Sequence, residues 1–194
     1  MDRLSQDSRE TPLQRTGETG LTLPNALTVL RIILVPFIVG TLSYGYYGYS
    51  LAIFAIAGVT DLLDGLLARL KRQKTNLGAL LDPVADKALL VSSFVTLTIL
   101  GWIPTWLTII VISRDIILIT GNLGIYILTG DLKISPSILG KLTTASQVLL
   151  VALVLVMVNF GDNPLPPSVF LLVTGILTVS SALHYIYVGF KMVS

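Results

Sequence analysis

Asp61-Leu62-Leu63-Asp64-Gly65-Leu66-Leu67-Ala68-Arg69 and, eight residues further on, Leu77-Gly78-Ala79-Leu80-Leu81-Asp82-Pro83-Val84-Ala85-Asp86 place four carboxylates inside two apolar runs. A separation of three, Asp61 to Asp64, and of four, Asp82 to Asp86, puts each pair on one face of a helix. The runs around them are long enough to cross a bilayer, which needs about 20 mostly apolar residues. Working outward, the same pattern recurs. Candidate spans are 26–43, 48–70, 79–100, 104–129, 138–160 and 166–190. The breaks between them carry turn residues: Tyr44-Gly45-Tyr46-Tyr47-Gly48, the basic stretch 71–78, Gly101-Trp102-Ile103-Pro104, residues 130–137, and Gly161-Asp162-Asn163-Pro164. Pro104, Pro136 and Pro166 suit helix starts, as does Pro24 beside the possible cap Asn25. The expected fold is all-α: a polytopic integral membrane protein of six transmembrane helices in one domain over 21–194.

Composition agrees. Hydrophobic residues make up 53% and charged residues 12%, against about 25% charged in ordinary soluble domains. Mean hydropathy is +0.83. Arg3, Arg9 and Arg15 precede the first span, and Arg69, Lys71, Arg72 and Lys74 lie at the second connection. Lys133 and Lys141 lie at the fourth, and Lys191 closes the sixth span. The alternate connections hold no Lys or Arg, so both termini are expected on the cytoplasmic side. Tyr44, Tyr46, Tyr47, Tyr49, Trp102 and Trp106 then mark the opposite interface. Residues 1–20 are polar, mix both signs and lack the pattern of a signal peptide; a flexible cytoplasmic tail is expected.

Several chemistries are excluded. The chain has no cysteine, which removes thiolate nucleophiles, disulfides and Cys-based metal sites. Its single histidine, His184, lies in the last apolar run, where a structural or interfacial role is expected. A net charge of +2 gives no nucleic-acid footprint. Chemistry must come from carboxylates, hydroxyls, Lys or Arg.

The four aspartates are costly. One Asp at mid-span costs roughly 2.5–3.5 kcal/mol on insertion scales, less when off-centre. Four in neighbouring spans also repel one another. Divalent cations would remove both penalties, and an all-oxygen donor set suits Mg²⁺, Mn²⁺ or Ca²⁺. The structural alternative pairs these aspartates with Arg69, Lys87 and Arg114. Gly65, Ala68 and Gly78 would let a bulky ligand approach the backbone, or serve close helix packing.

Written as a pattern, Asp61-x2-Asp64-Gly65-x2-Ala68-Arg69-x8-Gly78-x3-Asp82-x3-Asp86 resembles the signature of the CDP-alcohol phosphatidyltransferase family at every fixed position. The resemblance runs from Leu23 through the last span. It implies displacement of CMP from a CDP-linked donor, usually CDP-diacylglycerol, by an acceptor hydroxyl. It also implies Asp61, Asp64, Asp82 and Asp86 as ligands of one or two Mg²⁺ or Mn²⁺ ions, with Asp86 the general base. Gly65, Ala68, Arg69 and Gly78 would line the CDP site, and a homodimer is implied.

The acceptor depends on Arg31, Arg114 and Lys141, three cations on separate spans that form one anion pocket or instead pair locally, Asp115 being an obvious partner. Leu23-Pro24-Asn25-x-Leu27-Thr28-x2-Arg31 and Gly140-Lys141-x-Thr143-Thr144-x2-Gln147 resemble glycerol-3-phosphate-using members, the phosphatidylglycerophosphate synthases. Ile112-Ser113-Arg114-Asp115, with Ile103-Pro104 and Leu107-Thr108, resembles the CMP-forming cardiolipin synthases, which use phosphatidylglycerol. Glycerol 3-phosphate is the expected acceptor and phosphatidylglycerol the alternative; inositol-phosphate and serine acceptors stay open. A non-enzymatic cation carrier or channel is the reading from another class. A prokaryotic plasma membrane, with the site facing the cytoplasm, is the expected location.

Overall fold

The computed structural model describes residues 23–71, 76–129, 138–161 and 168–193, with side chains described for 29–60, 87–121, 138–161 and 168–189. Within them the chain forms six α-helices and no strand. These are α1 (Leu23–Ser43), α2 (Tyr47–Lys71), α3 (Asn76–Ile99), α4 (Thr105–Thr129), α5 (Ile138–Phe160) and α6 (Ser168–Val193). The helices match the six apolar runs. The largest departures, three residues each, are α1, which starts at Leu23 and takes Pro24 and Asn25 into its first turn, α3, which starts at Asn76, and α6, which runs on to Val193. Gly78 therefore lies inside the first turn of α3 rather than before it, and Asp82 lies well into the helix. Proline is tolerated in a first turn because its missing N–H would have no partner there. The tail 1–20, Pro136 and Pro166 lie outside the described residues.

Two glycines end helices in the same way. Gly45 and Gly101 have φ of 77° and 80°, a left-handed conformation that costs other residues about 1–2 kcal/mol. Tyr46 N–H donates to Thr41 C=O at 2.8 Å and Gly45 N–H to Leu42 C=O at 3.1 Å. Trp102 and Gly101 repeat that pair on Leu97 and Thr98, at 2.9 and 3.0 Å. Both are the six-to-one, five-to-two closure that satisfies terminal carbonyls. The chain reverses at once, and Pro104 accepts the Leu107 N–H to open α4.

Side-chain contacts fix the helix directions. Thr41–Ser50 joins α1 and α2 beside their turn. Lys87–Asp115 and Thr98–Thr108 run antiparallel between α3 and α4. Along α4 and α6, Trp106 would meet a Cβ on Gly175, Arg114 reaches Ser181, and Tyr185 would meet a Cβ on Gly121. Those partners advance together, so α4 and α6 are parallel. α1 packs on both α2 and α3, α2 also on α5, and α6 on both α4 and α5.

The core runs through Ile38, Leu42, Phe94, Leu97, Leu107, Val111, Leu150 and Val154. Around it the usual polarity is inverted. Thr174, Thr178 and Ser181 on α6 are buried, Thr178 completely, while Ile176 on the same helix is 64% exposed. Ile33, Phe37, Ile56, Val59, Ile109, Ile119, Leu149 and Leu172 also face outward. Exposed apolar side chains on α1, α2, α4, α5 and α6 together suit hydrocarbon, not water. Two helices, α5 and the Ser168–Gly189 part of α6, are by themselves long and apolar enough to cross a bilayer among the described residues.

Candidate active site

The ring of Tyr47, the first residue of α2, lies 5.2 Å from that of Trp102 in the α3–α4 turn. The start of α2 and the end of α3 therefore share one level. With a rise of 1.5 Å per residue, Asp61 and Asp86 stand about 20 Å down their helices from that level, and Asp64 and Asp82 about 25 Å. The two pairs sit at matching heights. Their side chains, and those of Gly65, Ala68, Arg69 and Gly78, lie outside the described residues. The short connection predicts α2 and α3 as neighbours. Among the described residues the main packing of both is on α1, which carries the buried Arg31 at a comparable height.

The described chemistry nearest this level is a three-residue cluster. Lys87, one residue after Asp86, donates from Nζ to Asp115 Oδ1 at 2.6 Å. Arg114 donates from NH1 to the same oxygen at 2.8 Å. The Arg114 NH2 group reaches Ser181 Oγ on α6 at 3.3 Å and, at a long 3.5 Å, the Gly140 carbonyl on α5. Arg114 is 4% exposed and Asp115 5%. Buried charges persist only when paired and hydrogen-bonded, and here one carboxylate serves two cations. Among the described residues no three His, Cys, Asp or Glu side chains gather.

Two of the three cations that could have neutralised the four aspartates, Lys87 and Arg114, are thus engaged with Asp115. For Arg114 local pairing is what the structure shows. Lys141 is exposed on the first turn of α5, and Arg31 is buried on α1. Sequence reasoning did not foresee the Lys87–Asp115 pair. The signal was present: outside the four aspartates, Asp115 is the only acidic residue within the six spans. A lysine and an arginine in apolar helices need such a partner.

The residues following Gly140 have structural roles. Thr143 donates to the Leu177 carbonyl at 3.0 Å, and Gln147 donates from Nε2 to Thr178 Oγ1 at 3.3 Å, fastening α5 to α6. Thr144 bonds back to the Gly140 carbonyl. His184 is exposed on α6. A depression of ≈ 500 Å³ lies at the opposite end of the bundle, lined by Tyr46, Tyr47, Tyr49 and Asn159 among others. It holds no charged residue and stands about 20 Å of helix from Asp61.

Residues 21–190 match the sequence profile of the CDP-alcohol phosphatidyltransferase family. The chain is similar to a CMP-forming cardiolipin synthase of Rattus norvegicus, 34% identical over 198 residues, covering 91% of this chain and 64% of that protein. The Homo sapiens protein of the same name gives the same identity and coverage. A probable phosphatidylglycerophosphate synthase of Mycobacterium tuberculosis is 42% identical over 100 residues, 48% of each chain. The chain thus spans about 64% of the length of the mammalian relatives.

Proposed function

Because the chain belongs to the CDP-alcohol phosphatidyltransferase family, we propose that it transfers the phosphatidyl group of CDP-diacylglycerol to a glycerol hydroxyl of an anionic acceptor and releases CMP. The observation that carries the reading is the pairing of heights: Asp61 with Asp86 and Asp64 with Asp82, while Lys87 and Arg114 are held by Asp115. Carboxylates left without those cations need a divalent one. The donor set fits Mg²⁺ or Mn²⁺, being all oxygen and without His or Cys.

Asp61, Asp64, Asp82 and Asp86 would hold the metal, one ion or two. When bound, it supplies charge neutralisation at the diphosphate and makes phosphorus more electrophilic. The chain's own residues do the rest. Arg69 neutralises diphosphate oxygens, and Gly65, Ala68 and Gly78 leave room for the donor against the helix backbone. Asp86 accepts the proton of the attacking hydroxyl as its oxygen bonds to the phosphatidyl phosphorus and the bond to CMP oxygen breaks. Holding both substrates in line across two helices supplies much of the acceleration. Arg31 and Lys141, with Arg114 behind them, provide the positive field for the acceptor phosphate.

Phosphatidylglycerol is the acceptor we favour, which reverses the order expected from the motifs alone. Support comes from the extent of similarity: 91% of the chain to the cardiolipin synthases, 48% to the phosphatidylglycerophosphate synthase. Glycerol 3-phosphate is the second reading, supported by the higher identity of that shorter match. The proposed topology is six spans with both termini and the aspartates on the cytoplasmic side, in a homodimer.

The test is direct. Purified protein with Mn²⁺ and CDP-diacylglycerol is offered phosphatidylglycerol, glycerol 3-phosphate, inositol phosphate or serine, and CMP and lipid product are measured. Cardiolipin is the expected product. Phosphatidylglycerophosphate instead selects the second reading, and failure to release CMP with any of these acceptors defeats the proposal.

A further inference from the structure

We infer that Asp115 is a positioning residue for the metal site, acting through Lys87 on the helix that carries Asp82 and Asp86. This rests on the metal-dependent reading above. Lys87 follows Asp86 by one residue, about 1.5 Å along and about 100° around α3. Its ammonium is drawn to Asp115 at 2.6 Å, a short charge-assisted bond. Asp115 is itself fixed from the other side by Arg114, whose guanidinium grips Ser181 on α6 and approaches Gly140 on α5. One carboxylate oxygen thus ties α3 to the three later helices.

The tie matters because it is the described polar contact between α3 and α4 that lies beside the aspartates in the chain. The main packing of α3 is on α1, and between α3 and α4 the described polar contacts are only this pair and Thr98–Thr108 near the tyrosine-bearing end. Those two contacts, one at each end of the described part of α3, restrain its tilt and rotation relative to α4. Carboxylates on two helices chelate one cation only when their separation is held to a few tenths of an ångström, so rotation of α3 weakens the site before it unfolds the bundle.

The experiment measures Mn²⁺ twice, by electron paramagnetic resonance titration of the purified protein and as the concentration giving half-maximal CMP release. Wild type is compared with Asp115→Asn, Asp115→Glu, Lys87→Met and the double variant Lys87→Met/Asp115→Asn. Asp115→Asn and Lys87→Met should each weaken Mn²⁺ binding about tenfold, the double variant no further, and Asp115→Glu should recover to within about threefold of wild type. Lys87→Met keeps the Arg114–Asp115 pair, so it reports even where Asp115→Asn fails to fold. Wild-type Mn²⁺ affinity in folded Lys87→Met overturns the inference and leaves the proposed function standing. Wild type that neither binds Mn²⁺ nor releases CMP overturns both.

Discussion

The first three helices and the last three carry their charge differently. In α4, α5 and α6 the polar groups answer one another: Arg114 meets Asp115 and Ser181, Gln147 meets Thr178, and Thr143 meets the Leu177 carbonyl. In α2 and α3 four aspartates share two heights, and Lys87, next to Asp86 in the chain, pairs with Asp115 on α4. Paired polar groups in an apolar bundle hold helices together. Four carboxylates spaced along two apolar helices are, on the proposed reading, the place for a divalent cation.

That contrast predicts opposite signs for mutations in the two regions. The largest effect belongs to the aspartates. Asp86→Asn should lower CMP release by about 10²–10⁴-fold while CDP binding, followed by calorimetry, persists. Turnover near the wild-type rate would remove Asp86 as the base. In metal-free detergent the same variant should melt no earlier than wild type, since it removes an unneutralised charge. Chelation should abolish activity, with Mg²⁺ or Mn²⁺ restoring it; full activity in excess chelator would end the metal assignment.

Arg114→Met should do the reverse, costing about 3 kcal/mol in denaturant unfolding, because it strips one partner from a buried pair and undonates Ser181. An unchanged midpoint would show the cluster to be structurally idle. Next in size is Gly175→Ala. A Cβ there would stand 3.0 Å from Trp106 Cζ3, and overpacking of this kind costs about 1–3 kcal/mol. Gly101→Ala should cost about 1–2 kcal/mol through its left-handed φ. The smallest effect is expected at His184, exposed on the apolar outside of α6: His184→Ala should change stability by less than about 0.5 kcal/mol and leave CMP release intact.

Much of this was legible in the chain itself. Apolar run lengths gave all six helices within a few residues of their bounds, because backbone in a hydrocarbon environment has to satisfy its own hydrogen bonds and a helix does so locally. The glycines at 45 and 101 marked helix ends for a reason that resides in one residue's φ. The aspartate spacing marked the candidate site because a helix converts separations of three and four into a shared face. Pairing across helices was a different matter. Three cations, Arg31, Arg114 and Lys141, looked equivalent as a pocket; one is locked in an ion pair, one is buried on α1 and one is exposed on α5.

By itself, then, the sequence determined that the protein is helical, where each helix ends, how the aspartates space along α2 and α3, and which family they place it in. Only the tertiary structure decided that Lys87 and Arg114 belong to Asp115, that α4 and α6 run parallel through Gly121 and Gly175, and that the threonines of α6 turn inward. The reason is physical. Helix formation and spacing are local properties of the chain, whereas the partner of a buried charge is set by which helices come to lie side by side and at what height.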